Sequence, residues 1–117
     1  MKPPAGDNVL LRLADIIRAR RADSPDASYT RKLLDGGPKR CAKKLGEEAA
    51  ETLIAAVAED DAALCNECAD LIYHLMVLLE SRNVAFEHVL AILEGRMGVS
   101  GHAEKAARPA AGGSGKG

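Results

Sequence analysis

The chain has 117 residues, of which 47% are hydrophobic, 28% are charged and only 3% are aromatic, and its formal net charge is −1 at pH 7. This length suits one domain, and the balanced charge excludes a protein that coats a polyanion, so nucleic acid is not an expected partner. A core with so few aromatic residues must be built from Leu, Ile, Val and Ala, which favours packed helices over strands. We therefore expect one all-α domain.

The two ends of the chain lack the residues of a core. Residues 1–8 contain two prolines and a glycine, and residues 110–117 are Ala, Gly, Ser and Lys alone. We predict flexible tails there, on either side of a domain at residues 9–109. Because no signal peptide is apparent and no apolar stretch approaches the roughly 18 to 20 residues of a membrane span, we expect a cytoplasmic protein that does not enter a membrane.

The first predicted element is an amphipathic helix over residues 9–21. Apolar residues recur in it at helical spacing, with charged residues between them: Val9, Leu10, Leu13, Ile16 and Ile17. Residues 23–28 are dense in turn-forming residues. After them, Ser28 or Thr30 can cap a short helix that ends at the two glycines of residues 36–37.

Two long helices and one shorter helix are predicted next. Pro38 suits the first turn of a helix over residues 39–59. The acidic turn at residues 60–61 can cap a second long helix over residues 62–82, and a shorter helix follows at residues 86–96. No strand pattern competes, so the expected architecture is a helical bundle or hairpin array.

Carboxylates are concentrated on the two long helices. Glu47, Glu48 and Glu51 fall within one arc of about 100° on the first, where like charges repel unless a cation or solvent compensates them. Glu67 and Asp70 begin the second, which is apolar on nearly every side, so we expect neighbours to bury it all round. Carboxylates near a core need a partner or a metal. Antiparallel pairing of the helices could bring both sets together around Mg²⁺, which prefers oxygen ligands; the alternative is a solvated acidic face.

Basic residues lie before these glutamates and around the loop-rich connector, where they are candidates for phosphate contacts. They are Arg20, Arg21, Arg31, Lys32, Lys39, Arg40, Lys43 and Lys44. Each could instead balance nearby acids at the surface. The Walker pattern and the dinucleotide-binding fingerprint are both absent.

Cysteine and histidine residues give weaker signals. Cys65 and Cys68 form a lone C-x-x-C pair, and a zinc site would need further ligands such as Cys41, so we expect small thiols on a helix rather than zinc. His74 stands one turn beyond Asp70, where it could orient a ligand, but a hydrogen bond within the core is the expected role. The spacing supports no Ser-His-Asp or Cys-His catalytic arrangement.

The complete acidic pattern carries a resemblance. Glu-Glu-x-x-Glu at residues 47–51, followed after fifteen residues by Glu-x-x-Asp at residues 67–70, resembles the metal motif of the MazG-like all-α nucleoside triphosphate pyrophosphatases. Further segments make the chain similar to the phosphoribosyl-ATP pyrophosphatase family over about residues 9 to 109. These segments are residues 28–30, 37–39, 43–49, 69–75, 100–101 and 103–109.

The resemblance implies Mg²⁺-dependent hydrolysis of 1-(5-phosphoribosyl)-ATP to 1-(5-phosphoribosyl)-AMP and pyrophosphate, the second step of histidine biosynthesis. It also implies a MazG-like bundle of four to five helices that is completed by homodimerisation. The implied metal ligands are Glu48, Glu51, Glu67 and Asp70. Glu47 or Glu48 would orient the attacking water as a base, and the implied phosphate contacts are Lys43, Lys44, Lys105 and Arg108.

Two other functions remain open from sequence. A housekeeping pyrophosphatase of the same superfamily would share the metal motif and act on ordinary or damaged nucleotides, and the segments at residues 28–30 and 104–108 discriminate against it. A non-catalytic helical dimerisation module would carry the same acids as surface charge. That module would show no stabilisation by Mg²⁺.

Overall fold

The computed structural model describes residues 8–97, and within them it contains helices and no strand. The helices are α1 (Val9–Ala19), α2 (Tyr29–Asp35), α3 (Gly37–Ala58), α4 (Asp61–Ser81) and α5 (Phe86–Arg96), with a 3-10 turn at Arg20–Ala22. The all-α prediction is confirmed. Residues 1–7 and 98–117 lie outside the described residues, and with them the predicted tails, the end of the predicted domain, Lys105 and Arg108.

Side-chain caps set the starts of three helices, the first at α1, where the Asn8 side chain accepts a hydrogen bond from the backbone N–H of Leu10 at 2.8 Å. The Ser28 hydroxyl accepts a hydrogen bond from the backbone N–H of Arg31 at 3.1 Å, so Ser28 rather than Thr30 caps α2. The Asp60 carboxylate accepts one from the backbone N–H of Ala63 at 2.9 Å and caps α4. Each cap satisfies a helix N–H that has no partner within the helix.

Left-handed residues redirect the chain at two junctions. Gly37 has φ +78° at the start of α3, a conformation that glycine adopts without a Cβ clash, so α2 and α3 follow each other with almost no loop. Asn83 has φ +58° after α4. There the N–H of Val84 bonds to the carbonyl of Leu79 at 2.9 Å and that of Asn83 to the carbonyl of Glu80 at 3.0 Å, which is the Schellman arrangement that ends a helix.

The chain divides into two units between Glu87 and His88. In the first unit α3 and α4 form the main helix pair, an antiparallel hairpin with a two-residue connection, and α1 and α2 also contact α4. Its buried apolar side chains are Ile17, Leu33, Cys41, Ala55, Met76, Val77 and Phe86. The second unit contains the rest of α5.

Ion pairs between a buried carboxylate and two exposed arginines join the region at the end of α1 to the end of α4. Glu80 is 8% exposed and accepts hydrogen bonds from the guanidinium groups of Arg18 and Arg21. Arg21 also donates to the carbonyl of Glu80 and to the side-chain oxygen of Asn83. A carboxylate at this depth requires such partners, since an unpaired buried charge is strongly destabilising.

The prediction that α4 is buried on all sides is wrong within the single chain. Ile72 is 40% exposed, Leu75 is 37% exposed, and Asp70 is also exposed. The neighbouring helices cover only part of its circumference, which leaves an apolar strip. By length and composition α4 is also apolar enough to cross a membrane, contrary to the expectation, although core helices of soluble proteins meet the same criteria.

Candidate metal and phosphate site

The face of α3 that contacts α4 contains one of the three clustered glutamates. Cys41, Glu48 and Ala55 are buried on α3 at intervals of seven residues, the spacing at which a helix returns the same side to a neighbour. Glu48 is 6% exposed, whereas Glu47 and Glu51 lie to one side of this contact face and are exposed. The three share an arc, as predicted, but only Glu48 faces the hairpin interior.

Glu48, Glu67 and Asp70, the acidic triad, each offer a carboxylate oxygen, and these oxygens lie within 4.8 Å of one another. Their burial decreases in that order, from buried Glu48 to half-buried Glu67 to exposed Asp70. Antiparallel packing of α3 and α4 therefore brings together three of the four predicted metal ligands. Glu51, the fourth, lies outside the triad but close enough for its charge to act on Glu67.

Two oxygens of the acidic triad have no hydrogen-bond partner. They are Oε1 of Glu48 and Oε1 of Glu67, and both are buried. Burial, and then the negative charges of Glu51 and Asp70, raise the pKa of the Glu67 carboxyl above its ordinary value. Buried polar atoms are almost always satisfied in folded proteins, so two orphaned oxygens at one point indicate an arrangement that a cation would complete. An all-oxygen donor set of this kind fits a hard divalent ion such as Mg²⁺.

The hydroxyl of Thr52 fixes the backbone behind the acidic triad. Its Oγ1 lies 2.8 Å from the carbonyl oxygen of Glu48 and 3.2 Å from that of Glu67. A hydroxyl has one proton, so Thr52 donates it between the two carbonyls and links α3 to α4. The main-chain separation of two triad residues is thereby held by a hydrogen bond inside the hairpin.

A basic cleft lies next to the acidic triad. Its volume is ≈ 430 Å³, and it is lined by Tyr29, Leu33, Arg40, Lys43, Lys44 and Glu47. Lys44 Nζ lies 3.4 Å from Glu48 Oε2 and 3.6 Å from Glu47 Oε1, so this lysine joins the cleft to the triad. The pKa of Lys44 is raised, first by the neighbouring Tyr29 and then by the carboxylates of Glu48 and Glu47. The cleft thus offers fixed positive charge beside a candidate cation site.

Among the predicted basic residues, Arg40, Lys43 and Lys44 line the cleft. Arginines of the connector are instead paired with carboxylates elsewhere: Arg20 with Asp23, Arg21 with Glu80 and Arg31 with Asp35. Lys32 and Lys39 are exposed and are not among the lining residues. Sequence alone did not separate Arg40 from the others, because its place in the cleft depends on how α2 packs against α3.

An aromatic cluster lies at the edge of the cleft. His74 is 6% exposed; its Nδ1 lies 2.7 Å from the carbonyl oxygen of Asp70 and its Nε2 lies 3.0 Å from the hydroxyl of Tyr29. The hydroxyl of Tyr73 is hydrogen-bonded to that of Thr30. The expected role of His74 as a hydrogen-bonded core residue is confirmed.

The three cysteines are free and differ in exposure. Cys41 is buried, and its thiol donates to the carbonyl of Leu33 at 3.3 Å. Burial raises the pKa of this thiol. Cys65 is exposed and Cys68 is half-buried. Neither residue belongs to the acidic triad, the one group of potential metal ligands that residues 8–97 bring this close together.

The sequence matches known proteins across this site. Residues 10–97 match the family described as phosphoribosyl-ATP pyrophosphohydrolase. The chain is 53% identical over 100 residues to a phosphoribosyl-ATP pyrophosphatase of Cereibacter sphaeroides, covering 86% of this chain and 97% of the relative.

Two further relatives with the same name give similar values. The protein of Dinoroseobacter shibae is 54% identical over 101 residues, covering 86% of this chain and 99% of the relative. That of Ruegeria pomeroyi is 53% identical over 102 residues, covering 87% and 97%. The family match includes every residue of the acidic triad and of the basic cleft.

Proposed function

Because the chain belongs to the phosphoribosyl-ATP pyrophosphohydrolase family, we propose that it hydrolyses 1-(5-phosphoribosyl)-ATP to 1-(5-phosphoribosyl)-AMP and pyrophosphate, the second step of histidine biosynthesis. The observation that carries the proposal is the acidic triad, with two unpartnered buried oxygens, beside a basic cleft. This pairing suits a triphosphate, whose negative charge needs both a cation and basic side chains.

The acidic triad would hold Mg²⁺, and Glu51 would add charge or an outer contact from its position near Glu67. Bound there, Mg²⁺ would offset the charge that develops on the leaving pyrophosphate. Glu48 supplies the most buried ligand, and Thr52 holds the backbone that carries it. The ligand geometry is thus fixed by the hairpin.

Water cleaves the anhydride that joins the α-phosphate to the β-phosphate, and a carboxylate that accepts its proton assists this step. Glu47 suits that role better than Glu48, because it is exposed, lines the cleft and is not part of the acidic triad. Its partner Lys44, with Nζ 3.6 Å from Glu47 Oε1, holds the Glu47 carboxylate near the phosphates.

The phosphates would lie along the basic side of the cleft. Lys43 and Lys44 are the predicted contacts within the described residues, and Arg40 joins them there with a planar guanidinium that suits bidentate phosphate binding. Lys105 and Arg108 remain predicted contacts from the segment beyond residue 97.

A homodimer would cover the apolar surface that the single chain leaves exposed on the hairpin. Exposed apolar side chains on α3 and α4 include Leu53, Ile54, Val57, Ile72 and Leu75. Val57 is 87% exposed, which is costly for a monomer in water. We expect light scattering to give twice the mass of one chain, and Val57→Glu to shift it toward one. The proposed location is the cytoplasm, where free thiols persist.

The reaction is tested by Mg²⁺-dependent release of pyrophosphate from phosphoribosyl-ATP, measured beside ATP, dUTP and dCTP at equal concentration. Preference for phosphoribosyl-ATP supports the proposal. Preference for a plain triphosphate would assign the chain to control of the nucleotide pool, and activity on none of the four would favour a non-catalytic dimerisation module.

Three conservative variants test the proposed metal site. Glu48→Gln, Glu51→Gln and Asp70→Asn each remove one charge with little change in volume, and we expect each to abolish turnover while circular dichroism shows the same helix content. Glu59→Gln is the matched control, because Glu59 is exposed beyond the far end of α3. Retained activity in all three variants would contradict the metal site.

A further inference from the structure

The geometry points to Tyr29 as a specificity-determining residue, whose ring binds the base of the nucleotide and is oriented through His74 by the backbone of Asp70. This inference rests on the proposed function, and it names the part of the substrate that one wall of the cleft recognises. A base is planar and apolar on its faces, so an aromatic ring is a chemically suitable contact.

The cleft has two chemically different parts. Tyr29 and Leu33 from α2 supply an aromatic and an aliphatic surface, whereas Arg40, Lys43 and Lys44 from α3 supply positive charge. Tyr29 is 50% exposed, so half of a large apolar side chain is available for contact. A nucleotide has the same division between a planar base and charged phosphates. Binding the phosphates at the α3 side directs the base toward α2.

The hydrogen bonds fix what the hydroxyl of Tyr29 can do. A backbone carbonyl can only accept, so Nδ1 of His74 donates its proton to the carbonyl of Asp70. In neutral imidazole Nε2 then accepts, and the Tyr29 hydroxyl donates its single proton to it. A proton donated in this way is not available to a phosphate oxygen. The exposed part of Tyr29 recognises its ligand through the ring.

The ring of Tyr29 is held before any ligand binds. Its centroid lies 5.9 Å from that of His74 at 77° and 6.4 Å from that of Tyr73 at 20°. Tyr73 is itself fixed by its hydrogen bond to Thr30 on α2. A contact surface that is already ordered loses little conformational entropy on binding, which favours selectivity for a flat ligand group.

One residue connects the ring to the acidic triad. Asp70 gives its carboxylate to the triad and its backbone carbonyl to His74, which in turn binds Tyr29. The distance between the ring and the triad is therefore set by α4 and two hydrogen bonds. A base stacked on Tyr29 would hold the phosphates at a defined distance from the triad, so this contact affects the reacting group as well as affinity.

The experiment is direct calorimetric binding of AMP and of ribose 5-phosphate, which share a phosphate and differ in the base. We expect Tyr29→Leu to weaken AMP binding about tenfold, the scale of one base stacked on an aromatic ring, and to change ribose 5-phosphate binding by less than about twofold. Tyr29→Phe keeps the ring and should retain AMP binding within about threefold. Lys43→Ala is the crossed control, because it removes a phosphate contact and should weaken both ligands equally.

Equal losses of affinity for the two ligands in Tyr29→Leu would show a structural role and overturn the proposal. Unchanged AMP binding in this variant would also overturn it, as would a wild type that binds AMP no more tightly than ribose 5-phosphate. If Tyr29→Leu does not fold, ring-proton resonances of Tyr29, assigned from Tyr29→Phe, must shift with AMP and not with ribose 5-phosphate. Neither measurement uses turnover. A protein inactive on phosphoribosyl-ATP that still shows this pattern would refute the proposed function and retain the role of Tyr29.

Discussion

We expect Glu48→Gln to be at least as stable as the wild type without Mg²⁺ and less stable than the wild type with Mg²⁺. Without metal, Oε1 of Glu48 is buried and unpartnered, an arrangement that costs about 1–3 kcal/mol. Gln removes the charge of Glu48 and therefore its repulsion by the other two triad carboxylates. The substitution also removes the ion pair with Lys44, whose side chain is partly exposed. In a chelator we therefore expect Glu48→Gln to be at least as stable as the wild type.

With Mg²⁺ the order should change. A ligand at one hundred times its dissociation constant stabilises the folded state by about 2.7 kcal/mol, which is on the order of 10–20 °C in Tm for a domain of this size. Loss of one of the three carboxylates should lower the affinity for Mg²⁺ by more than the roughly 10–100-fold that is typical for loss of a residue that only contacts a metal ligand. Glu48→Gln should then gain almost nothing from the same Mg²⁺ and become the less stable protein.

Thermal unfolding followed by circular dichroism measures this reversal, at one protein concentration, in chelator and in Mg²⁺. Glu59→Gln is the control and should follow the wild type in both buffers, because its side chain is exposed and far from the triad along α3. An equal shift of the wild type and Glu48→Gln by Mg²⁺, or no shift of either, would refute the reasoning from the unpartnered oxygens.

Three further outcomes follow from the contacts described. Lys44→Met should raise KM for phosphoribosyl-ATP about tenfold, because a charged phosphate contact is lost. Lys39 does not line the cleft, so Lys39→Met should change KM by less than about twofold. Equal changes in KM would contradict the cleft as the phosphate-binding site. Arg21→Ala should lower the free energy of unfolding in urea by about 1–3 kcal/mol, because it removes a charged hydrogen-bond partner of the buried Glu80 carboxylate. Adding Glu80→Ala should cost less than the sum of the two single losses, so additivity would contradict the pairing of Arg21 with Glu80. Cys41 is buried and burial raises the pKa of its thiol, so it should react with a disulfide reagent more slowly than the exposed Cys65. Equally fast reaction of all three cysteines would contradict the burial of Cys41.

Local signals were sufficient to predict where most helices begin. A cap is a contact between neighbours in sequence, so Ser28 and Asp60 could be recognised as helix starts without knowledge of the fold. The boundary at residues 36–37 was also readable, because two consecutive glycines interrupt a helix. The all-α class followed from the same periodicity, since no segment competed as a strand.

The depth of each carboxylate was less accessible from the sequence. The sequence predicts that Glu47, Glu48 and Glu51 share one face, whereas in the structure only Glu48 lies between the two helices. The seven-residue spacing of Cys41, Glu48 and Ala55 contained this information, because residues at that interval return to the same neighbour. The contact face of α3 therefore distinguishes Glu48 from the two exposed glutamates.

Other features depend on contacts between distant parts of the chain. The pairing of Arg21 with Glu80 joins residues 59 positions apart, and nothing local distinguishes this arginine from Arg40 of the cleft. The exposed strip at Ile72 and Leu75 was missed for a related reason. Apolar composition indicates that the surface of a helix should be buried. How much of that surface is buried within one chain depends on how many helices pack against it.

Thr52 makes the main-chain spacing of the acidic triad independent of the outer surface of the hairpin. Its hydroxyl lies between the carbonyl oxygens of Glu48 and Glu67 inside the hairpin. Both acceptors are main-chain atoms, which a side-chain substitution does not remove. Leu53 and Val57 point away from that gap and can change without altering it. Substitutions on the exterior of α3 can therefore change how the hairpin assembles with other chains while the spacing of Glu48 and Glu67 is kept.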